Sequence, residues 1–238
     1  MRQTMNTQIT IAVDGYAACG KSTLAKALAK ALHYVYVDSG AMYRAVTLYF
    51  LDHSIDINNA QAVALALKNI KIHFETVGGQ NHTFLNNKDV ESAIRSPRVS
   101  NFVSPVATVS AVRKAMVALQ QDMGKLGAIA MDGRDIGTVV FKHAELKLFL
   151  TASIEERSRR RLLEWKGKNV GDISLSEVAE NLKSRDHIDS NRAESPLCQA
   201  EDAVVIDNSQ LSPEEQLAFA LNLAQQEIKK KSLGLVPS

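Results

Sequence analysis

Gly15-Tyr-Ala-Ala-Cys-Gly20-Lys21-Ser22 directly follows the apolar run Ile9 to Val13 and leads into a stretch with helical periodicity. The spacing is that of the phosphate-cradling loop G-x-x-x-x-G-K-S/T, in the strand-then-helix context that gives the pattern its meaning. Two glycines permit the tight wrap that turns successive N–H groups towards β- and γ-phosphate oxygens, and the helix that follows adds the positive end of its dipole. In this reading Gly15, Tyr16, Ala17, Ala18, Cys19, Gly20, Lys21, Ser22 and Thr23 bind ATP. Lys21 supplies a mobile cation, Ser22 a hydroxyl for Mg²⁺ and Thr23 a further phosphate contact. A chain that opens this way is expected to be an α/β P-loop NTPase.

The rest of the chain agrees. Short runs rich in Val and Ile recur at Ile9–Val13, Tyr34–Val37, Ala128–Met131, Leu146–Leu150 and Ala203–Ile206, separated by segments of helical period. That pattern predicts a five-stranded parallel sheet flanked by helices. Leu24, Leu28, Ala31 and Leu32 form one apolar stripe; Val109, Val112, Met116, Leu119 and Met123 form another. Ser153-Ile-Glu-Glu156 and Ser212-Pro-Glu-Glu215 read as capping boxes. The alternation breaks at Ile70–Val90, where Lys71–Phe74 and His82–Leu85 flank Val77-Gly-Gly-Gln-Asn81 and predict a small β-hairpin. We expect a core of residues 1–64 and 101–238 and a β-rich insert at 65–100.

Composition narrows the function classes. Twenty-eight Lys and Arg against 26 Asp and Glu leave a formal charge of +2, too mild for a nucleic-acid partner. Met1 to Gln8 is polar, and no apolar run is long enough to span a bilayer, so neither a membrane partner nor a targeting segment is expected; the expectation is a cytoplasmic monomer. Cys19 and Cys198 stand far apart, and the six histidines show no ligand spacing, so no protein-built metal site is expected beyond Ser22.

What receives the phosphate is a separate matter. A GTPase needs a guanine-reading N-K-x-D after a late strand, and Asn86-Asn-Lys-Asp89 lies inside the hairpin with the wrong spacing. Arg44 and Arg134, by contrast, follow predicted strands at the carboxyl edge of the sheet, where ligands bind in open α/β folds. Arg185, Asp189 and Arg192 fall at i, i+4 and i+7, on one helix face. Such cations suit an acceptor that is itself a phosphate. Two like charges at ~4 Å repel by ~4 kcal/mol at an effective dielectric of ~20, while a phosphate with a second pKa near ~6 needs no general base. Catalysis then reduces to positioning and charge neutralisation. An alcohol acceptor of the shikimate type would instead require a carboxylate base, for which Asp38 is the candidate.

The loop, Asp38-Ser-Gly-Ala-Met-Tyr-Arg44, Gly133-Arg-Asp-Ile-Gly-Thr-Val-Val-Phe141 and Arg185-Asp-His-Ile-Asp-Ser-Asn-Arg192, in that order, resemble the bacterial cytidylate kinases over nearly the whole chain. The resemblance implies transfer of the γ-phosphoryl group of ATP to CMP or dCMP, with 65–100 as the monophosphate-binding insert and a helical lid at 155–171. It implies that Arg44, Arg134 and Arg185 hold the acceptor phosphate, with Ser39 and Tyr43 beside it and Asp189 near the ribose. Ser104, Arg113, Asp135 and Arg192 would read cytosine, whose amine needs acceptors and whose O2 and N3 need donors. Lys21, Arg134 and Arg185 would neutralise the transferring group, joined by Arg157, Arg160 and Arg161 from the lid. The same lid residues also fit a solvated helix, with i, i+4 pairs Glu155–Arg159 and Glu156–Arg160. This sequence departs from the family's Gly-Pro-x-Gly-x-Gly-Lys loop at Tyr16, Ala18 and Cys19. Cys19 is either a reactive thiol beside Lys21 or a small packing residue.

Overall fold

The computed structural model describes residues 7–125, 127–167 and 173–235. At its centre lies β1 (Thr10–Gly15), in parallel register with β6 (Ile129–Asp132) on one side and β7 (Leu146–Thr151) on the other. With β2 (Val35–Asp38) and β8 (Val204–Asp207) the order is β2-β6-β1-β7-β8. This is the predicted five-stranded sheet, and each strand lies within two residues of its apolar run. Ile11, Ala12, Val13 and the whole of β6 are buried, as strands covered on both faces must be. Helix α1 (Lys21–Leu32) packs against α8 (Pro213–Ser232) through Leu24, Ala25, Leu28, Ala220 and Ala224, which join the apolar core of the sheet. The α8 start is as read: Ser212 and Glu215 close a capping box with Pro213 in the first turn.

The chain forms two compact units. The first is drawn from segments within Met1–Val37, Gln121–Ser153 and Leu197–Ser238 and contains the parallel sheet; the second comprises Asp38–Gln120 and Ile154–Pro196. In the second, α2 (Ser39–Asp52), α4 (Pro97–Thr108) and α7 (Leu175–Asn191) pack in succession, and α6 (Ile154–Lys166) packs on α7. Two further α-helices are α3 (Ala60–Lys68) and α5 (Ser110–Gly124), and a short 3-10 turn spans Ala93–Arg95. The hairpin is present as β3 (Ile72–Val77) and β4 (Gln80–Leu85), joined by Gly78 and Gly79 at φ +58° and +78°. Two successive left-handed residues make the turn whose twist matches the strands. A second turn at Asn86 and Asn87, again left-handed, adds the short β5 (Lys88–Asp89), which the sequence pattern had not suggested.

Among the described residues no single helix is long and apolar enough to cross a membrane. Residues 168–171 of the expected lid lie outside the described ones.

Candidate active site

The phosphate loop is shaped by close approach rather than by side chains. Gly15, at φ +141°, ends β1 so near β7 that a Cβ there would stand 2.0 Å from the Leu150 carbonyl oxygen. Gly20, at φ +87°, turns the chain into α1 in a conformation that L residues avoid. The start of α1 has no side-chain cap and no acid in its first turn, whereas α2, α3, α4, α7 and α8 are each capped by Asp, Asn or Ser. The orphan N–H groups and the positive dipole end are therefore left for an anion.

Lys21 is buried and donates from Nζ to the Tyr16 carbonyl at 2.5 Å, lying 3.7 Å from Cys19 Sγ. Burial first, then the charge of Arg134, pulls its pKa below the ordinary lysine value, against the opposing pull of Cys19, Asp132 and Asp14. Cys19 is fully buried and donates its S–H to the Tyr16 carbonyl at 2.9 Å, the geometry of the packing role among the two readings. Thr23 follows in the first turn of α1. Ser22 donates to Asp132 Oδ2 at 2.8 Å, and Tyr36 donates to the other oxygen at 2.9 Å. A hydroxyl and a carboxylate so placed form an oxygen-only donor set that suits a hard cation such as Mg²⁺.

Two further residues of the first unit were not singled out from sequence. Asn208, just past β8, is fully buried and donates to the Cys19 carbonyl at 2.5 Å and to Gln216 Oε1 at 3.1 Å, clasping the loop from the far end of the chain. Asp14, at the end of β1, accepts from the Ile136 and Gly137 N–H groups at 2.8 and 2.7 Å. Burial raises its pKa to about 6 against the pull of those N–H groups. The signal for both was a polar residue at the carboxyl end of an apolar strand, where the sheet edge makes sites. Arg134 and Asp135 stand between β6 and a π-turn at Ile136–Val140, and Arg134 acts on Lys21 through its charge.

The second unit carries the remaining predicted residues. Ser39, Tyr43 and Arg44 lie on α2, Ser104 on α4, Arg113 on α5, and Arg185 and Asp189 on α7. All of these except Arg44 are buried. Arg113, at 2% exposure, sets its guanidinium over the Tyr43 ring at 5.5 Å and donates to the Ala107 carbonyl at 3.4 Å. Arg192 departs from the helical spacing read from sequence. Helix α7 ends at Asn191, and Arg192 caps it in an extended conformation, with Nε donating to the Ser195 carbonyl at 2.8 Å and Nη1 3.9 Å from Asp189.

Asp38 N-caps α2 through the Ala41 N–H at 2.8 Å and pairs with Arg95 at 2.8 Å, a residue without a sequence signal. Burial pushes the Asp38 carboxyl up, but Arg95 and Arg44 outweigh it and hold it below the ordinary carboxylate range. On α6, Arg157 pairs with Asp186 at 2.5 Å, while Arg160 pairs with Glu156 and Arg161 with Glu164, each at 3.0 Å. Arg159 also takes Glu156, at 3.1 Å, rather than the expected Glu155. Trp165 is packed at 5% exposure with its indole N–H unpartnered.

Comparison with known proteins gives a consistent answer. Residues 11–226 match the protein family described as cytidylate kinase. The chain is 51% identical over 219 residues to a cytidylate kinase of Parabacteroides distasonis, covering 90% of this chain and 95% of that one. It is 51% identical over 229 residues to one from Flavobacterium johnsoniae, at 93% and 98% coverage. With one from Bacteroides fragilis it shares 48% identity over 227 residues, at 93% and 99% coverage.

Proposed function

Since this chain belongs to the cytidylate kinase family and is an ATP-dependent kinase of CMP, we propose how its residues divide that reaction. The observation that carries the reading is the uncapped, acid-free start of α1 beside a buried Lys21. That arrangement is a cradle for the phosphate tail of a nucleotide, and Lys21 neutralises charge as the γ-phosphoryl group leaves. Ser22 and Asp132 would hold Mg²⁺, which when bound offsets charge on the β- and γ-oxygens.

On the acceptor side, Arg44, Arg134 and Arg185 are proposed to hold the monophosphate, with Ser39 and Tyr43 alongside and Asp189 at the ribose. Ser104, Arg113, Asp135 and Arg192 are proposed to read cytosine. Residues 65–100 serve as the monophosphate-side insert within a core of 1–64 and 101–238, and 155–171 as a lid from which Arg157 and Arg161 reach the transferring group. In this reading Arg157 must exchange Asp186, and Arg161 must exchange Glu164, for phosphate oxygens as the lid closes. dCMP is proposed as a second acceptor, and the enzyme as a cytoplasmic monomer that works on free nucleotides without nucleic acid or membrane as partner.

An alcohol acceptor fits less well. Asp38 already serves Arg95 and the α2 N-terminus, and its depressed pKa makes it a poor proton acceptor. A coupled ADP-release assay across CMP, dCMP, UMP, AMP and shikimate tests the whole reading: CMP should give the highest kcat/KM and shikimate none. Turnover with shikimate in place of CMP, or ATP binding without turnover of any monophosphate, would sink it.

A further inference from the structure

Asp14 touches neither nucleotide in the scheme above, yet it is an ionisable group buried inside the first unit. Burial of a carboxylate is costly unless its oxygens are satisfied. Both are satisfied by one short stretch of backbone: Oδ1 by the Ile136 N–H and Oδ2 by the Gly137 N–H. One residue earlier, the Val13 carbonyl accepts from the Gly133 N–H at 3.0 Å. The last two residues of β1 before Gly15 therefore fasten the turn at 133–137 at both of its ends. Arg134 and Asp135 are the two residues between the fastenings. Gly137 is closely packed on the Lys147 side, where an added Cβ would stand 3.1 Å from Lys147 Cδ, and it leaves ordinary contact distance, 3.4 Å, to Asp14 Oδ2.

We propose that Asp14 is a positioning residue: its carboxylate clamps the 133–137 turn to the strand that begins the phosphate loop, and so sets the direction of Arg134 and Asp135. A direct electrostatic role towards Lys21 is the weaker account, because Asp14 acts on that lysine less than Arg134, Cys19 and Asp132 do. The proposal rests on the reading that Asp135 accepts from the cytosine amine. A tilted turn should then blur base choice before it affects ATP.

Asp14→Asn removes the clamp at nearly constant volume, because the amide faces one of the two N–H groups with a second donor. The expected result is a fall of about tenfold or more in the ratio of kcat/KM for CMP to that for UMP, with the calorimetric Kd for ATP within about twofold of the parent. Gly137→Ala, whose methyl group would meet the Lys147 side chain at 3.1 Å and so crowd the same turn from its other neighbour, should lower the ratio too, and it carries the test if the first variant does not fold. A merely structural role would depress CMP and UMP turnover equally, and that outcome, or an unchanged ratio in both variants, overturns the proposal. Asp135→Ala separates the two levels of inference. If it lowers the ratio while the Asp14 and Gly137 variants do not, the clamp is wrong and the reading of Asp135 stands; if it leaves the ratio intact, the reading falls and takes the clamp with it.

Discussion

The phosphate loop and the arginine-bearing second unit both bury positive charge, but by opposite means. Around Lys21 the short hydrogen bond goes to backbone, the Tyr16 carbonyl, in a loop bent by two glycines, while Cys19, Asp132 and Asp14 act on it as charges. Its pKa is lowered by burial and by Arg134 more than Cys19, Asp132 and Asp14 raise it. In the second unit the partners are side chains. Asp38 answers Arg95, Asp186 answers Arg157, Asp189 stands beside Arg192, and the Tyr43 ring faces Arg113. The first region meets its cation with a backbone carbonyl and more distant carboxylates, whereas the second pairs its arginines directly with side chains. A region of the first kind should lose function without losing fold, and a region of the second kind should show both effects.

Lys21→Met gives the sharpest form of that contrast. Turnover should fall roughly a thousandfold, while the melting temperature should hold or rise, because a desolvated cation has been removed. A matching drop in stability would erase the distinction.

Asp38→Asn should do the reverse and cost about 3 kcal/mol of stability, by taking a buried carboxylate from the α2 N-terminus and from Arg95, which keeps Glu91 at 2.8 Å. The Asp38 pKa is depressed in the folded state, so its contribution is present above the ordinary carboxylate value and is lost as pH falls through the depressed one. Urea titrations of parent and variant should therefore converge in acid. Were Asp38 a catalytic base, activity would vanish with stability intact.

Arg185→Ala, on the acceptor side, should lower kcat/KM for CMP about a hundredfold and leave the calorimetric Kd for ATP nearly unchanged. Equal losses for both nucleotides would argue against a division of labour.

Asp14 has the opposite sign from Asp38. Its pKa rises from 3.8 to about 6 in the fold, so the proton is held more tightly there and stability is lost as pH rises through that value. Relative to Asp14→Asn, the parent should lose about 2 kcal/mol between pH ~4.5 and ~7.5, measured by chemical denaturation at each pH. The smallest effect belongs to Arg192→Ala, which should relax the CMP-to-UMP preference by about tenfold; equal damage to both substrates would remove it from base reading.

The same contrast explains what the sequence made legible. The loop was readable because a site built from backbone needs glycines at fixed spacing, and Gly15 and Gly20 stand where the geometry demands them. The five strands were readable because burial on both faces leaves unbroken apolar runs. Of the arginines of the second unit, Arg44 and Arg185 could be singled out by position, after a predicted strand and on a helix face, whereas Arg113 on α5 could be named only through resemblance. Arg192 looked helical by spacing, but α7 stops one residue short of it and the chain turns back through the Ser195 carbonyl. Asp14, Asp132 and Asn208, at or just past strand ends, passed unmarked as site residues because the partner each meets is about 110 to 190 residues distant. Arg95 had no pattern of its own; its value comes from the Asp38 that it meets.

The Asn208 clasp also orders events on the ribosome. Residues 15–22 emerge early, but the amide that secures the Cys19 carbonyl follows 189 residues later. A nascent chain halted before β8 holds every residue of the nucleotide loop and lacks the last peg that keeps it in shape. Tight grip on nucleotide should therefore appear late in synthesis, when the final strand docks.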